Sequence, residues 1–247
     1  MIDLFKIDIN ADVGEGIDNE LVIMQYLSSC NIACGGHAGD AGTMTKVVKL
    51  AKVNCVKIGA HPSFPDKVNF GRENMKLSAA DLYSSLKQQI RTLQSVLHAE
   101  NMQLHHIKPH GALYNLAAKD ENTAKVIIDV IKSMALPVKL YAPYQSIMAE
   151  LAYSENIEVT FEAFADRNYN EDLSLVSRRN EKALLSDKDE VLQHVLSMVK
   201  YEKVKTINEV EVSLKASTFC VHGDTENALE ILRFLNSKLP ENGIEIE

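Results

Sequence analysis

The chain lacks the marks of several large protein classes. No run approaches 18 apolar residues, so no membrane-spanning helix is expected. Cations are in deficit: 26 basic residues stand against 34 acidic ones, a formal charge of −8. A broad nucleic-acid surface needs clustered cations that displace counter-ions, so nucleic acid is not an expected partner. The cysteines are Cys30, Cys34, Cys55 and Cys220, and none forms Cys-x-x-Cys. That argues for reduced, mostly buried thiols and against a zinc framework. Neither Gly-x-x-x-x-Gly-Lys-Ser/Thr nor Gly-x-Gly-x-x-Gly occurs, and no serine stands in Gly-x-Ser-x-Gly. Local motifs therefore support neither a nucleotide cradle nor a serine nucleophile. No secretory leader is expected, because a strand-like segment with Asp3, Lys6 and Asp8 follows Met1 directly. A cytoplasmic location is the expectation.

What is present is ordinary globular composition, 46% hydrophobic and 24% charged over 247 residues. That length can bury a large core, and one domain over 1–247 is expected. Short apolar segments at 6–10, 30–33, 56–60, 104–109, 138–142, 157–161 and 215–221 read as strands. Longer segments at 20–28, 43–53, 79–99, 119–134 and 145–154 read as helices. Two more helices are expected, one starting at Ser186 and running to Tyr201, the other capped by Thr225 and running to Leu239. Ser78 with Asp81 forms a capping box, and Leu82, Leu86, Ile90, Leu93 and Leu97 make one core-facing stripe. The stretch 170–185 has no period and is expected to be a long loop. Alternating strands and helices require a mostly parallel sheet with helical cover. Seven strands predict an α/β fold closed, or nearly closed, into a barrel. An open doubly wound sheet is the alternative.

The chemically capable residues trail these strands. Asp12 and Glu15 follow the first, His37 and Asp40 the second, His61 the third and His110 the fourth. Asp166 and Arg167 follow the sixth, and His222 and Asp224 the seventh. Sites in parallel α/β folds form at this carboxyl edge. His106, Lys108 and His110 share a face by the two-residue period, although Pro109 ends or bulges the strand. A lysine inside a barrel needs an acid or an anionic ligand, and Asp12 or Glu15 is a candidate partner for Lys108. Asp12, His61 and His110 combine a carboxylate with two imidazoles, a set that can hold a divalent ion with an open position. Without metal, the same set supports proton transfer. Arg72, Arg167, Arg178 and Arg179 are candidates for a substrate carboxylate or phosphate. His105 faces away from this set, and His98 and His194 are expected on exposed helix faces. Gly35, Gly36, Gly39 and Gly42 read as tight backbone rather than an anion cradle.

The segments that carry these residues resemble the LamB/YcsF family. They are NADVGEG (10–16), NIACGGHAGD (31–40), IGAHPSFPD (58–66), FGR (70–72), HHIKPHGALYN (105–115), FEAFADRNY (161–169), LVSRR (175–179) and CVHGD (220–224). They span the chain nearly end to end. The resemblance implies a distorted seven-stranded parallel β/α barrel related to glycoside hydrolases and carbohydrate deacetylases. It implies participation in the ATP-dependent opening of 5-oxo-L-proline to L-glutamate. Two further 5-oxoprolinase subunits, of B and C type, are then expected to bind most of the ATP. Carried over residue by residue, the implied site is Asp12, Glu15, His37, Asp40, His61, Lys108, His110, Asp166, Arg167, His222 and Asp224. Asp12, Glu15, His61, His110, His222 and Asp224 are expected to be catalytic. His37, Asp40, Arg72, Lys108, Asp166 and Arg167 are expected to bind substrate. The chain departs from the family pattern where Gly36 replaces an aromatic residue and Ser63 a glycine. Two other readings stay open: an independent metal-dependent deacetylase or amidohydrolase, and a non-catalytic scaffold subunit.

Overall fold

The computed structural model describes residues 4–247, so Asp3 of the first strand-like segment lies outside it. In chain order the elements begin β1 (Phe5–Val13), α1 (Glu20–Ile23), β2 (Ser29–Ala33), α2 (Ala41–Val53), β3 (Lys57–His61) and α3 (Ala79–Ala99). Next come β4 (His106–Ile107), α4 (Gly111–Ala117), α5 (Glu121–Met134), β5 (Lys139–Pro143), α6 (Ile147–Ser154) and β6 (Val159–Phe164). The chain ends with α7 (Lys188–Tyr201), β7 (Lys203–Lys205), β8 (Glu211–Ser213), β9 (Thr218–Cys220), α8 (Ala228–Glu241) and β10 (Ile244–Ile246).

β1 to β6 pair in sequence order, all parallel. β9 closes the ring, with Thr218 in register with Asp8 of β1 and with Glu162 of β6. Seven parallel strands therefore form a closed barrel, which removes the open-sheet alternative. β10 adds outside the ring, pairing parallel with the start of β1 from Phe5↔Ile244 onward. β7 and β8 form a separate antiparallel pair that the apolar pattern did not disclose. Among the described residues no helix is long and apolar enough to cross a membrane.

Several elements end where local chemistry dictates. The Ser78 hydroxyl accepts from the Asp81 amide at 3.1 Å and starts α3. The stripe from Leu82 to Leu97 is buried. β4 is only two residues long, because Pro109 offers no N–H to extend the ladder. Four expectations need correction. The helix expected at 119–134 is preceded by α4, which begins straight after His110. The 20–28 segment splits into α1 and a 3₁₀ turn, Met24–Tyr26. Asp187, not Ser186, caps α7, since its carboxylate takes the Asp189 and Glu190 amides at 3.0 Å. Thr225 does not cap α8: its hydroxyl is donated to Asp166, and Asn227 takes the cap position.

The barrel has an apolar outside and a polar inside. Along β1, Ile7, Ile9, Ala11 and Val13 belong to the hydrophobic core beneath the helices. The alternate residues Asp8, Asn10 and Asp12 bond to one another's partners across the barrel interior. Ser29, Asn31, His106, Lys108, Glu162 and Thr218 are buried with them. Parallel barrels are normally filled by branched aliphatic layers. Here a hydrogen-bonded axis takes their place, and Gly59 makes the room. A Cβ at Gly59 would lie 2.1 Å from His106 Nε2.

Candidate functional site

A cavity of about 550 Å³ opens at the carboxyl ends of the strands. Asp12, Glu15, His61, Lys108, His110, Arg167, His222 and Asp224 all reach it, as do Arg72, Arg178 and Arg179. Asp12 projects from within β1, which runs three residues beyond its expected end. His61 is the last residue of β3, and His110 directly precedes α4.

Backbone carbonyls set the two imidazoles. His61 Nδ1 lies 2.7 Å from the Lys108 carbonyl, and His110 Nε2 lies 2.9 Å from the Phe70 carbonyl. A carbonyl accepts, so these nitrogens carry the protons. In the neutral rings His61 Nε2 and His110 Nδ1 are then both bare, and they face each other at 2.9 Å. Asp12 Oδ2 lies 3.4 Å from the first, and Glu15 Oε1 lies 3.4 Å from the second. Four electron-pair donors therefore converge, an arrangement that calls for a proton or a cation between them. Burial, reinforced by His61 and His37, pushes the His110 pKa well below its ordinary value. Burial, with Asp12 adding, raises that of Glu15.

His37 stacks flat on His110, with ring centroids 3.6 Å apart, and its Nε2 lies 2.8 Å from Glu15 Oε1. Burial, helped by His61 and Arg72, pushes its pKa down to about 3, so it is a neutral donor that orients Glu15. His37 thus stands behind the cavity wall. Lys108 Nζ is buried between Asp12 Oδ1 at 3.0 Å and Glu162 Oε1 at 2.8 Å. Burial opposes the Lys108 charge, yet the attraction of these acids raises its pKa well above the usual value.

The floor of the site holds residues that strand-end position did not single out. Asn31 donates to Asn10 Oδ1 and Asp12 Oδ1, both at 2.8 Å. Its own Oδ1 then accepts from His106 Nε2 at 2.7 Å, and His106 Nδ1 accepts from His105 Nδ1 at 3.0 Å. A chain of donors thus points along the barrel axis at Asp12. Glu162, also missed, was legible as an acid inside an apolar strand segment. His194, expected at the surface, is half-buried beside Tyr169, and burial pushes its pKa down to about 4.

Three expected site residues have other partners. Asp40 does not line the cavity: its carboxylate accepts the Thr43 amide at 2.8 Å and caps α2. His222 pairs with Asp166, with Nδ1 3.0 Å from Asp166 Oδ1. Burial opposes the Asp166 charge, but His222 and the hydrogen bonds to it hold the pKa below the usual range. Arg167 lines the cavity while its Nη2 and Nε donate to the Val176 and Ala183 carbonyls at 2.7 and 3.4 Å, which fixes the 170–185 loop. The glycine cluster is a tight turn. Gly39 has φ +81°, and a Cβ there would lie 2.6 Å from the Ala33 carbonyl oxygen. A side chain at Gly36 would meet Ser63 Oγ and Gln89 Oε1, so the two departures from the family pattern sit against each other.

Among the described residues, two groups have ligand atoms within 4.8 Å of one another. The first is Glu15, His37, His61 and His110, and the second is Asp12, Cys220 and His222. Within the first, Glu15, His61 and His110 fit a divalent cation through convergent bare donors, with Asp12 reaching His61 from the side, while His37 spends its Nε2 proton on Glu15. Glu15 stands beside both imidazoles, 3.9 Å from His61 Nε2 and 3.4 Å from His110 Nδ1, and Asp12 of the expected triad lies 3.4 Å from His61 Nε2. The second fits poorly. Burial raises the Cys220 thiol pKa well above its usual value, and the Lys108 ammonium already sits 3.2 Å from its sulfur.

Fold and site together define the class: a closed parallel β/α barrel with a buried imidazole–carboxylate centre at the carboxyl rim. Within that class the chain belongs to the LamB/YcsF family, whose model matches residues 7–247. It is 41% identical to a Pyrococcus horikoshii protein named as the A subunit of 5-oxoprolinase, over 98% of this chain and 96% of that one. A Haemophilus influenzae protein of the same name is 43% identical, over 98% of each chain. The crystal structure of a lactam utilization protein from Thermus thermophilus superposes with TM-score 0.90 at 36% identity, covering 98% of this chain and 99% of that one.

Proposed function

We propose that this chain opens the activated ring of 5-oxo-L-proline to give L-glutamate. It would act as one subunit of a cytoplasmic, ATP-hydrolysing 5-oxoprolinase with two partners of B and C type. The names of its relatives support the substrate class. The observation that carries the chemistry is the pair of bare imidazole nitrogens, 2.9 Å apart beside two carboxylates, on the floor of an arginine-walled cavity.

A lactam resists water because amide resonance stabilises its carbonyl. Phosphorylation of that oxygen gives an imidate-like species that water can attack. The chain has no nucleotide motif, so ATP falls mainly to the partner subunits. Water then needs a base. His61 is oriented by the Lys108 carbonyl and presents Nε2, and Asp12 stabilises the imidazolium that forms. Lys108 keeps Asp12 ionised. His222, held by Asp166, delivers a proton to the leaving ring nitrogen, so the C–N bond breaks and γ-glutamyl phosphate is left; a second water then splits that acyl phosphate into L-glutamate and inorganic phosphate. Arginines at the wall hold the anionic groups of the ligand. Asp12, Glu15, His61 and His110 would also hold a divalent ion, which would supply Lewis acidity to the carbonyl.

The test is reconstitution with the partner subunits, measuring glutamate formed from 5-oxoproline and ATP. Omitting this chain should abolish product, and His110→Asn should do the same. Undiminished product without the chain would end the proposal. The same donor set favours a second reading, a metal-dependent amidohydrolase that acts alone. Stoichiometric metal in the purified chain, with hydrolysis of acetylated sugars in the absence of ATP and partners, would select it.

A further inference from the structure

Three loops meet at one carboxylate over the cavity mouth. Arg72, between β3 and α3, places Nη2 2.7 Å from Asp224 Oδ2. Arg178, between β6 and α7, places Nη1 2.9 Å from the same oxygen and Nη2 3.4 Å from Oδ1. Asp224 itself lies between β9 and α8. The side chains remain 44%, 30% and 30% exposed in the order Arg72, Arg178, Asp224, so a solute can reach them. Among the described residues the Asp224 carboxylate takes hydrogen bonds from these two arginines alone. Asp166, by contrast, is tied into the frame by a backbone amide, a ring nitrogen and a hydroxyl. Asp224 therefore sits in the guanidinium fork much as a bound anion would. Two guanidiniums over-neutralise one carboxylate.

We infer that Arg72 and Arg178 form a clamp for an oxyanion on the incoming ligand, and that Asp224 is a built-in stand-in which the ligand displaces. Paired guanidiniums match a phosphoryl or carboxylate group through parallel charge-assisted hydrogen bonds. The clamp also touches the catalytic floor. The Arg72 guanidinium lies 5.0 Å from the centroid of the Phe70 ring, and that ring meets His110 edge-on at 5.5 Å. The Phe70 carbonyl accepts the His110 proton, and Phe70 itself holds φ +55°, a left-handed conformation unusual for an aromatic residue. Movement of Arg72 is thus one residue away from the imidazole. The clamp rests on reading the cavity as the ligand site, and it adds which two arginines take the ligand's anionic group and what they hold before it arrives.

The experiment is calorimetric titration of the full chain with inorganic phosphate and, separately, with 5-oxo-L-proline as the carboxylate source. Removing the competing negative charge in Asp224→Asn should tighten binding about tenfold, and Arg72→Met or Arg178→Met should weaken it about tenfold. Tightening for phosphate alone assigns the clamp to a phosphoryl group, and for 5-oxo-L-proline alone to a carboxylate. Unchanged or weaker binding of both by Asp224→Asn overturns the inference, because the carboxylate would then be holding the arginines in place. Near-UV circular dichroism checks the fold, with Asp224→Ser as the replacement if the amide variant misfolds. Turnover in the reconstituted complex is read separately. A normal phosphate response without turnover would fail the ring-opening proposal and leave the clamp standing.

Discussion

Asp8 and Asp12 stand four residues apart on one strand, both turned into the barrel and both buried. Their fates are opposite. Asp8 accepts from the Ser29 and Thr218 hydroxyls at 2.8 and 2.6 Å, its nearest cation is Lys57 at 3.8 Å, and its Oδ2 has no hydrogen-bond partner among the described residues. Burial outweighs those hydroxyls and raises its pKa. Asp12 is buried too, but His61 and Lys108 overcome the burial and hold its carboxyl well below the usual carboxylate range. Strand, face and residue type are shared. What differs is the cation delivered by the segment after β4, far away in sequence. A buried acid becomes a stable anion only where the fold brings such a partner.

Four substitutions put the difference between the two acids to the test. The largest effect is expected from Asp12→Asn. It should cut reconstituted ring opening by about 10²–10⁴-fold, the usual scale of acid–base assistance, while Asp8→Asn leaves turnover unaltered. Equal losses from both would show that the floor and rim acids do not differ in function. Next, Lys108→Met strands Asp12 and Glu162 as buried, unpaired acids. Urea unfolding should register a loss of about 3–5 kcal/mol, and a change below about 1 kcal/mol would refute the pairing. Smaller again, Asn31→Leu removes the amide that joins His106 to Asp12. It should cost about 1–3 kcal/mol for the polar groups left unsatisfied, and unchanged stability would mean that the donor chain is incidental.

The smallest effect belongs to Asp8→Asn, and it has the opposite sign. The folded pKa of Asp8 is raised, so between its unfolded and folded values the native state holds more protons than the unfolded state. Its contribution is therefore fully present below the unfolded pKa and lost as pH rises through the folded one. The neutral amide escapes that loss. Asp8→Asn should gain about 1 kcal/mol at pH 7 and converge with the parent protein below about pH 4. A thermal-melt series from about pH 3 to 7 showing a deficit at neutral pH would contradict the account.

Much of the architecture was legible because periodicity is local. The α3 stripe, its Ser78 cap and the seven-strand alternation are statements about neighbours along the chain. Less legible were β10 and the β7–β8 pair, each only three residues per strand and too short for a pattern to rise above the background. Helix α4 was hidden because KPHGALYN reads first as a strand end. Glu162 was legible as an acid in an apolar strand segment and His106 by the face it shares with Lys108, but Asn31 is unremarkable until the barrel closes and puts it beside Asp12.

Local order alone set most candidate residues after their strands, because the two-residue period and the strand–helix alternation are read from neighbours; Asp40 marks the limit, since it follows β2 yet lies outside the cavity. The closed fold set the pairings. It matched His222 to Asp166, gave Asp224 to two arginines, turned Asp40 into a helix cap and set Glu15 beside the imidazoles. Charge pairing falls off within a few ångströms, so it depends on distances that ring closure creates between residues as far apart as Asp12 and Lys108.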